Sequence, residues 1–300
     1  MRTAERLPKN EGIPSRFEYL NPFSFELISN TSSTFHENFK RGAQIQDNGH
    51  GRVLFFGDSV LQQYIVPIVQ ALNVDKSDID LVTRGGCVML NGLDFRDKFA
   101  DISCDTLQET LYNLNNHYEL VIFSQEWAAY EADLLNAPEG LPKGSLERWA
   151  PFIKSTIEHF SKNAEQIIIL GQHITVNGSS LPKPSLFLTK EQYRNMTHEL
   201  RVTNEQSLHD ARSFFDKWTQ HERVTVVHPE DIWIDTHGNF KLRDEQWSFF
   251  RDSIHISKAS LPFLVDRLRN HPDLTSIARK QKLAEDASLF NAKPSLRPPG

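Results

Sequence analysis

The chain has 300 residues, of which 39% are hydrophobic and 24% are charged, and its formal net charge is −6. These proportions are typical of a globular chain with one large domain or two small ones. The negative charge argues against a nucleic-acid partner, because nucleic-acid-binding surfaces are usually basic. No apolar stretch is long enough to span a bilayer.

The two ends of the chain differ in character from its middle. Residues 1–50 are rich in Asn, Ser, Thr, Glu and Phe without a clear period. They predict an extended segment that wraps the domain, or a linker from something upstream. The folded domain is expected over residues 51–288, with a terminal helix at Asp273–Ser288. A proline-rich tail at residues 289–300 is expected to be disordered.

Five apolar runs of strand length alternate with helical patterns. Each run is nearly continuous, which is typical of strands buried on both faces of a parallel sheet. The predicted strands are Arg52–Phe56, Ile79–Thr83, Glu119–Ser124, Gln166–Gly171 and Arg223–Val227. The predicted helices are Ser59–Leu72, Thr106–Asn115, Leu146–Asn163, Lys190–Gln220 and Lys258–Asn270. The alternation predicts an α/β fold, a three-layer α/β/α sandwich around a parallel sheet of about five strands.

A serine follows the first predicted strand at the start of the first helix. The run Phe55–Val60 ends the strand and places Ser59 at the carboxyl edge of the sheet. There its hydroxyl lies at the positive end of a helix, which suits a nucleophile beside a developing oxyanion. The alternative is that Ser59 only caps the helix. Asp58 is expected to accept hydrogen bonds from backbone amides of the turn.

A second run, Asp252–His255, can supply a general base and its orienting carboxylate. The separation of three residues lets the two side chains lie on one loop or turn. His255 would take the proton from Ser59, and Asp252 would fix the imidazole tautomer. The alternative for His255 is a solvent-facing loop histidine.

An oxyanion hole needs at least two donors aimed at the developing charge. The backbone N–H of Ser59 is one. The turn Arg84–Cys87 follows the second strand and contains Gly85 and Gly86, either of which lets the backbone approach a ligand closely. The alternative is an ordinary turn with two glycines.

The two cysteines, Cys87 and Cys104, are either buried free thiols or a disulfide that closes the intervening loop. Neither forms a CxxC pair, so the sequence does not predict a zinc site. No glycine-rich phosphate loop follows the first strand, so no nucleotide cofactor is expected either.

Together, Gly57-Asp58-Ser59 and Asp252-x-x-His255 resemble the first and last sequence blocks of the SGNH (GDSL-type) esterases and acyltransferases. The resemblance implies a flavodoxin-like fold, an acyl-serine intermediate and an oxyanion donor from a glycine in the second block. The chain departs from the family pattern in the third block, where Phe123–Tyr130 stands in place of the usual Gly-x-Asn-Asp. Either Gln125 substitutes for the missing Asn, or the hole relies on backbone donors, or the activity is weak.

The replaced block is itself similar to SGNH domains appended to membrane-bound acyltransferases of the type-three family. Those domains tend to carry an aromatic motif after the third strand and a cysteine pair after the second. Val121–Trp127 and the pair Cys87 and Cys104 match this pattern, so the resemblance implies a disulfide. The run Ile169–Gln172, after the fourth strand, is also similar.

The resemblance, over about residues 50–270, implies O-acyl transfer, acetyl in particular, to a bacterial surface polysaccharide. The partners implied are an acyl donor, passed on by a membrane acyltransferase domain, and a carbohydrate acceptor. The implied location is periplasmic; the lack of a signal peptide would instead predict a cytoplasmic chain. Hydrolysis to water and a catalytically decayed glycan-binding module are the alternatives. Asp58, Trp127 and His173 are the expected substrate contacts.

Overall fold

The computed structural model describes residues 44–94, 104–130, 134–177, 200–244, 248–250 and 252–277. Six strands form one sheet, in the spatial order β1-β3-β2-β4-β5-β6. They are β1 Gln44–Gln46, β2 Val53–Gly57, β3 Ile79–Thr83, β4 Tyr118–Ser124, β5 Ala164–Leu170 and β6 Val224–Val227. Strands β2 to β6 are parallel to one another, and β1 is antiparallel to β3.

Helices connect and cover the strands. The α-helices are α1 Ser59–Leu72, α2 Cys104–Tyr112, α3 Trp127–Tyr130, α4 Ala150–Phe160, α5 Glu205–Phe215, α6 Pro229–Trp233 and α7 Leu261–Arg269. Short 3₁₀ turns precede or follow them at Lys76–Asp78, Leu146–Trp149, Asp216–Gln220 and Lys258–Ser260. Residues 272–277 are also helical. Within the described ranges, no helix is both long enough and apolar enough to cross a membrane.

The apolar strands are buried on both faces, which explains their continuous hydrophobicity. In β2, Val53 and Phe55 point into one core cluster while Leu54 and Phe56 point into the other. Helices α1 and α7 cover the first cluster, and α2 and α4 cover the second. The predicted three-layer α/β/α architecture is therefore confirmed.

The order of the five parallel strands is that of flavodoxin-like folds, with the first strand between the second and the third. The connections after β2 and β3 therefore leave in opposite directions, which opens a crevice at the carboxyl end of β2. Residue 59 begins the helix that leaves this point, so the fold places Ser59 at the crevice.

Several expectations about element boundaries need correction. The sheet has a sixth strand, β1, and this strand lies inside the segment 1–50, which was expected to wrap the domain or to be a linker and not to form a strand. The helix predicted at Lys190–Gln220 begins only at Glu205, because Val202 forms an antiparallel bridge with Val176. Residues 190–199 and most of the predicted terminal helix, from residue 278, lie outside the described residues, as does the tail at 289–300.

Candidate active site

Ser59 is held at the junction of β2 and α1 by the residue before it. The Oδ1 atom of Asp58 accepts a hydrogen bond from the Val60 N–H at 2.8 Å, which makes Asp58 the N-cap of α1. Ser59 is then the first helical residue and does not cap the helix, so its hydroxyl is not needed for capping. The first N–H groups of a helix lack intrahelical acceptors, and in α1 the Asp58 carboxylate accepts from that of Val60.

The turn before Ser59 requires glycine because two strands approach closely there. Gly57 pairs with Ser124 of β4 and has a φ of +156°. A Cβ atom on Gly57 would lie 1.9 Å from the backbone oxygen of Ser124, which no side chain tolerates. Glycine therefore lets β2 end against β4 and turn sharply into α1.

The structure brings Ser59, Asp252 and His255 together. The Nε2 atom of His255 lies 3.2 Å from the Ser59 Oγ atom. The Nδ1 atom of His255 lies 3.0 Å from each carboxylate oxygen of Asp252. This is the relay of hydroxyl, imidazole and carboxylate in which a serine can be deprotonated as it attacks an acyl carbon.

The Asp252 carboxylate also determines which nitrogen of His255 carries the proton. Burial raises the pKa of Asp252, but hydrogen bonds from the His255 ring and from the backbone N–H groups of His255 and Ile254 outweigh it and hold this pKa well below its usual range. An ionised carboxylate can only accept, so Nδ1 of His255 must donate to it. The Nε2 lone pair then faces Ser59, as a general base requires.

Of the two glycines after β3, Gly85 lies beside Ser59. A Cβ atom on Gly85 would lie 3.6 Å from the Ser59 Cβ atom. Gly86 has a φ of 79°, a left-handed conformation that forms the turn. That the N–H group of Gly85 or Gly86 donates to an oxyanion on Ser59 stays a prediction.

Gln125, the expected substitute for the missing Asn, is buried directly after β4. Among the described residues, its Nε2 atom has no hydrogen-bond acceptor. A buried amide donor without an acceptor is unfavourable unless a ligand or water supplies one. Its role as a third oxyanion donor stays a prediction.

A disulfide joins Cys87 to Cys104, with the two Cα atoms 5.6 Å apart. Arg84 is almost completely buried beside it, and its Nη1 atom donates to the Cys87 Sγ atom at 3.3 Å. The disulfide thus ties the turn that contains Gly85 and Gly86 to the start of α2.

The three expected substrate contacts are all buried in the described structure, and their contact with a substrate stays a prediction. Asp58, Trp127 and His173 have no exposed surface. Both oxygens of Asp58 are taken by backbone N–H groups, the second by that of Glu126 at 3.0 Å. The indole of Trp127 packs in the core and donates to the Leu170 carbonyl. The ring of His173 is hydrogen-bonded on both nitrogens inside the protein.

Two buried carboxyl groups, those of Asp58 and Glu126, lie next to the turn that leads into Ser59. Burial raises the pKa of Asp58 to about 6, although backbone N–H groups oppose the rise. Burial and the neighbouring charge of Asp58 raise the pKa of Glu126 to about 7, while a hydrogen bond from Gln172 opposes it. Sequence reasoning did not single out Glu126, although a glutamate in an otherwise uncharged stretch after a buried strand was the available signal.

Gln63 is a second residue that sequence reasoning missed. It lies on α1 one turn after Ser59 and contacts the backbone on both sides of His255. The signal was the pair of glutamines at 62 and 63, within a helix that is otherwise almost entirely apolar. Within the ranges described, no cluster of three or more metal-ligating side chains occurs.

Comparison with known proteins places these residues in a family. A family model described as the SGNH domain fused to AT3 domains matches residues 30–270. This match begins well before the boundary expected at residue 51. No significant match is found among curated proteins.

Among solved structures, one similar chain is the periplasmic domain of a lipopolysaccharide acetyltransferase from Salmonella ser. Paratyphi A. It is 16% identical, with a TM-score of 0.49, and the alignment covers 74% of this chain and 84% of that one. Another is a putative platelet activating factor from Streptococcus pneumonia, 14% identical with a TM-score of 0.40 and the same two coverages.

Proposed function

Because this chain belongs to the family of SGNH domains fused to AT3 domains, we propose that it transfers an acyl group, acetyl in particular, to a bacterial surface polysaccharide through an acyl-serine intermediate. The observation that carries the proposal is the relay in which His255 lies 3.2 Å from the Ser59 hydroxyl and is held by Asp252. An intact relay of this kind favours an enzyme over a decayed glycan-binding module.

In the proposed acylation step, Ser59 Oγ attacks the acyl carbon of the donor as His255 Nε2 takes the hydroxyl proton. The oxyanion that forms is met by the N–H groups of Ser59 and Gly85, at the positive end of α1. Asp252 stays ionised and stabilises the imidazolium. When the tetrahedral intermediate collapses, His255 returns the proton to the leaving group and the acyl group stays on Ser59.

In the proposed transfer step, a sugar hydroxyl takes the place of the first nucleophile. His255 removes its proton as it attacks the acyl-serine carbonyl, and the same donors stabilise the second oxyanion. Collapse of this intermediate returns the proton to Ser59 and releases the sugar ester. Water in place of the sugar would give hydrolysis, so the acceptor site, which the relay does not define, decides between the two reactions.

The donor and the location follow from the same family membership. A domain fused to AT3 domains is expected to receive its acyl group from that membrane acyltransferase, so the proposed partner is such a domain. The proposed location is periplasmic. The disulfide between Cys87 and Cys104 supports this location, because such bonds persist in oxidising compartments.

Product analysis with an acceptor present tests the proposal. The protein is incubated with a chromogenic acetyl ester, with and without a panel of bacterial O-polysaccharide fragments, and the products are separated by mass spectrometry. Acetyl ester on a sugar, formed by wild type and absent with Ser59→Ala, is the expected result. Free acetate alone, in the presence of every acceptor, would contradict transfer and favour the esterase.

A further inference from the structure

The segment that contains Asp252 and His255 is not part of a helix or of the main sheet. Residues 252–255 are irregular, and an isolated antiparallel β-bridge pairs Phe250 with Ile256 beside them. The position of the imidazole must therefore be fixed by contacts that reach this segment from elsewhere. The Val176 N–H supplies one, to the Ser253 carbonyl at 2.9 Å, and two side chains, one from α1 and one from the loop after β5, supply those nearest to His255.

Gln63 contacts the backbone on both sides of His255. Its Oε1 atom accepts a hydrogen bond from the Ile256 N–H at 2.7 Å, and its Nε2 atom donates to the Ile254 carbonyl at 3.4 Å. Gln63 follows Ser59 by four residues on α1, so both side chains lie on one face of the same helix. Helix α1 thus carries the proposed nucleophile, Ser59, and also, through Gln63, hydrogen-bonds the segment that contains the proposed base, His255.

His173 contacts the same carbonyl as Gln63. Its Nε2 atom lies 2.7 Å from the Ile254 oxygen, and its Nδ1 atom lies 2.8 Å from the Tyr64 hydroxyl. A carbonyl can only accept, so Nε2 carries the proton and Nδ1 accepts from Tyr64. The Tyr64 oxygen in turn accepts from the Trp233 indole N–H at 2.9 Å.

The chain of donors is therefore consistent in one direction, from Trp233 through Tyr64 to His173 and the Ile254 carbonyl. It requires a neutral His173 ring with its proton on Nε2. Burial lowers the pKa of His173 to about 4, which keeps the ring neutral at neutral pH. The contact to Ile254 is thus maintained under the conditions in which a general base would act.

We propose that Gln63 and His173 are positioning residues that hold the peptide groups flanking His255 and so keep its imidazole within hydrogen-bond distance of Ser59. The inference rests on the proposed function, because it assigns Gln63 and His173 a role in aligning the proposed base. Neither residue contacts the reacting atoms. Their effect is on geometry, and a displacement of about 1 Å in a catalytic group can cost about 100-fold in rate.

Replacing Gln63 by Met tests the proposal, since Met fills a similar volume and removes both hydrogen bonds. The expected result is a fall in kcat of about 10- to 100-fold on a chromogenic acetyl ester. KM should stay within about twofold, because alignment of the base and not binding is lost. The matched control is Gln62→Met, which removes a buried amide from the same helix; the Nε2 atom of Gln62 donates to the Thr83 hydroxyl at 3.0 Å.

A double-mutant cycle separates positioning from general damage to the fold. If Gln63 acts through His255, Gln63→Met should have no further effect on the residual rate of His255→Ala. An equal fall in both backgrounds would overturn the proposal, as would a kcat for Gln63→Met that matches the Gln62→Met control. Activity retained by Ser59→Ala would instead refute the proposed function itself, so the two failures are distinguishable.

His173 offers a second, independent pair of variants. His173→Gln keeps a donor that can reach the Ile254 carbonyl, whereas His173→Leu removes it. The glutamine variant should recover most of the kcat that the leucine variant loses. Equal kcat values in the two variants would overturn the proposal, and this comparison decides the matter if Gln63→Met does not fold.

Discussion

Replacing Glu126 by Gln should change how the stability of the protein depends on pH. The Glu126 side chain is buried beside Asp58, and its Oε1 atom accepts a hydrogen bond from Gln172 at 3.1 Å. Burial, and then the charge of Asp58, raise the pKa of Glu126 from 4.5 to about 7. A glutamine can still accept from Gln172 through its own oxygen, so the substitution removes the charge and preserves the contact.

The sign and size follow from proton linkage. Below pH 4.5 the Glu126 carboxyl is protonated in both the folded and the unfolded chain, so it does not lower the free energy of unfolding. Between pH 4.5 and about 7 the unfolded chain releases the proton while the folded protein keeps it, so the free energy of unfolding falls as pH rises. At about 1.4 kcal/mol per pKa unit, the full loss above this window is about 3 kcal/mol, shared in part with Asp58.

Urea unfolding at about pH 4.5, 6 and 8 measures the effect. Wild type and Glu126→Gln should have nearly equal free energies of unfolding at the lowest pH. At the highest pH the variant should be more stable by about 1–3 kcal/mol. The matched control is Glu158→Gln, which removes the same charge from an exposed site on α4 beside Lys154. It should change stability little at any of these pH values.

A difference between variant and wild type that stays constant from pH 4.5 to 8 would refute this reasoning. It would mean that Glu126 ionises alike in the folded and unfolded states, so that neither burial nor Asp58 perturbs it. A variant less stable than wild type at high pH would mean that the carboxylate form is favoured in the folded protein. Either result would contradict the claim that burial and the charge of Asp58 raise the pKa of Glu126.

Three further predictions concern the site and the loop beside it. Asp252→Asn should lower kcat by roughly three to four orders of magnitude, because an amide no longer holds the His255 proton on Nδ1; steady-state kinetics with an acetyl ester check this, and a loss under tenfold would contradict it. Reducing the disulfide between Cys87 and Cys104, which are 17 residues apart, should lower the free energy of unfolding by about 3 kcal/mol, and an unchanged urea midpoint would count against it. Gly85→Ala should fold, since its Cβ atom meets only the Ser59 Cβ atom at an ordinary 3.6 Å, yet it should lower kcat by crowding the oxyanion while the urea midpoint stays nearly unchanged; a wild-type kcat would show that a Cβ atom at this position does not reach the oxyanion.

The parallel sheet was predictable because its strands are buried on both faces. Runs such as Val53–Phe56 and Leu120–Phe123 carry no polar interruption, and that pattern has few explanations other than an interior parallel strand. Strand β1 carries no such signal. It has three residues, two of them glutamine, and it is held partly by the Gln46 side chain, whose Nε2 atom donates to the Ile79 carbonyl.

The sequence predicted which three side chains would meet, Ser59, Asp252 and His255, but not what surrounds them. Ser59, Asp252 and His255 were recognisable from motif order, and the sheet topology brings them to one edge. How deeply each side chain is buried could not be predicted from the sequence. Trp127 and His173 follow strands at that edge, yet both are buried. A linear pattern tells which edge a residue occupies but not which distant segments cover it. Gln63 was missed for the same reason, because the 252–256 segment that covers it is almost 200 positions away.

The intact mass of the protein after incubation with a chromogenic acetyl ester tests the central claim most directly. Wild type should show a burst of chromophore and one added acetyl group, which peptide mapping locates on Ser59. The Ser59→Ala variant should show neither, with an unchanged circular dichroism spectrum. Turnover or an acetyl adduct retained in Ser59→Ala would contradict the account, because the acyl group would then be carried by another residue or by none.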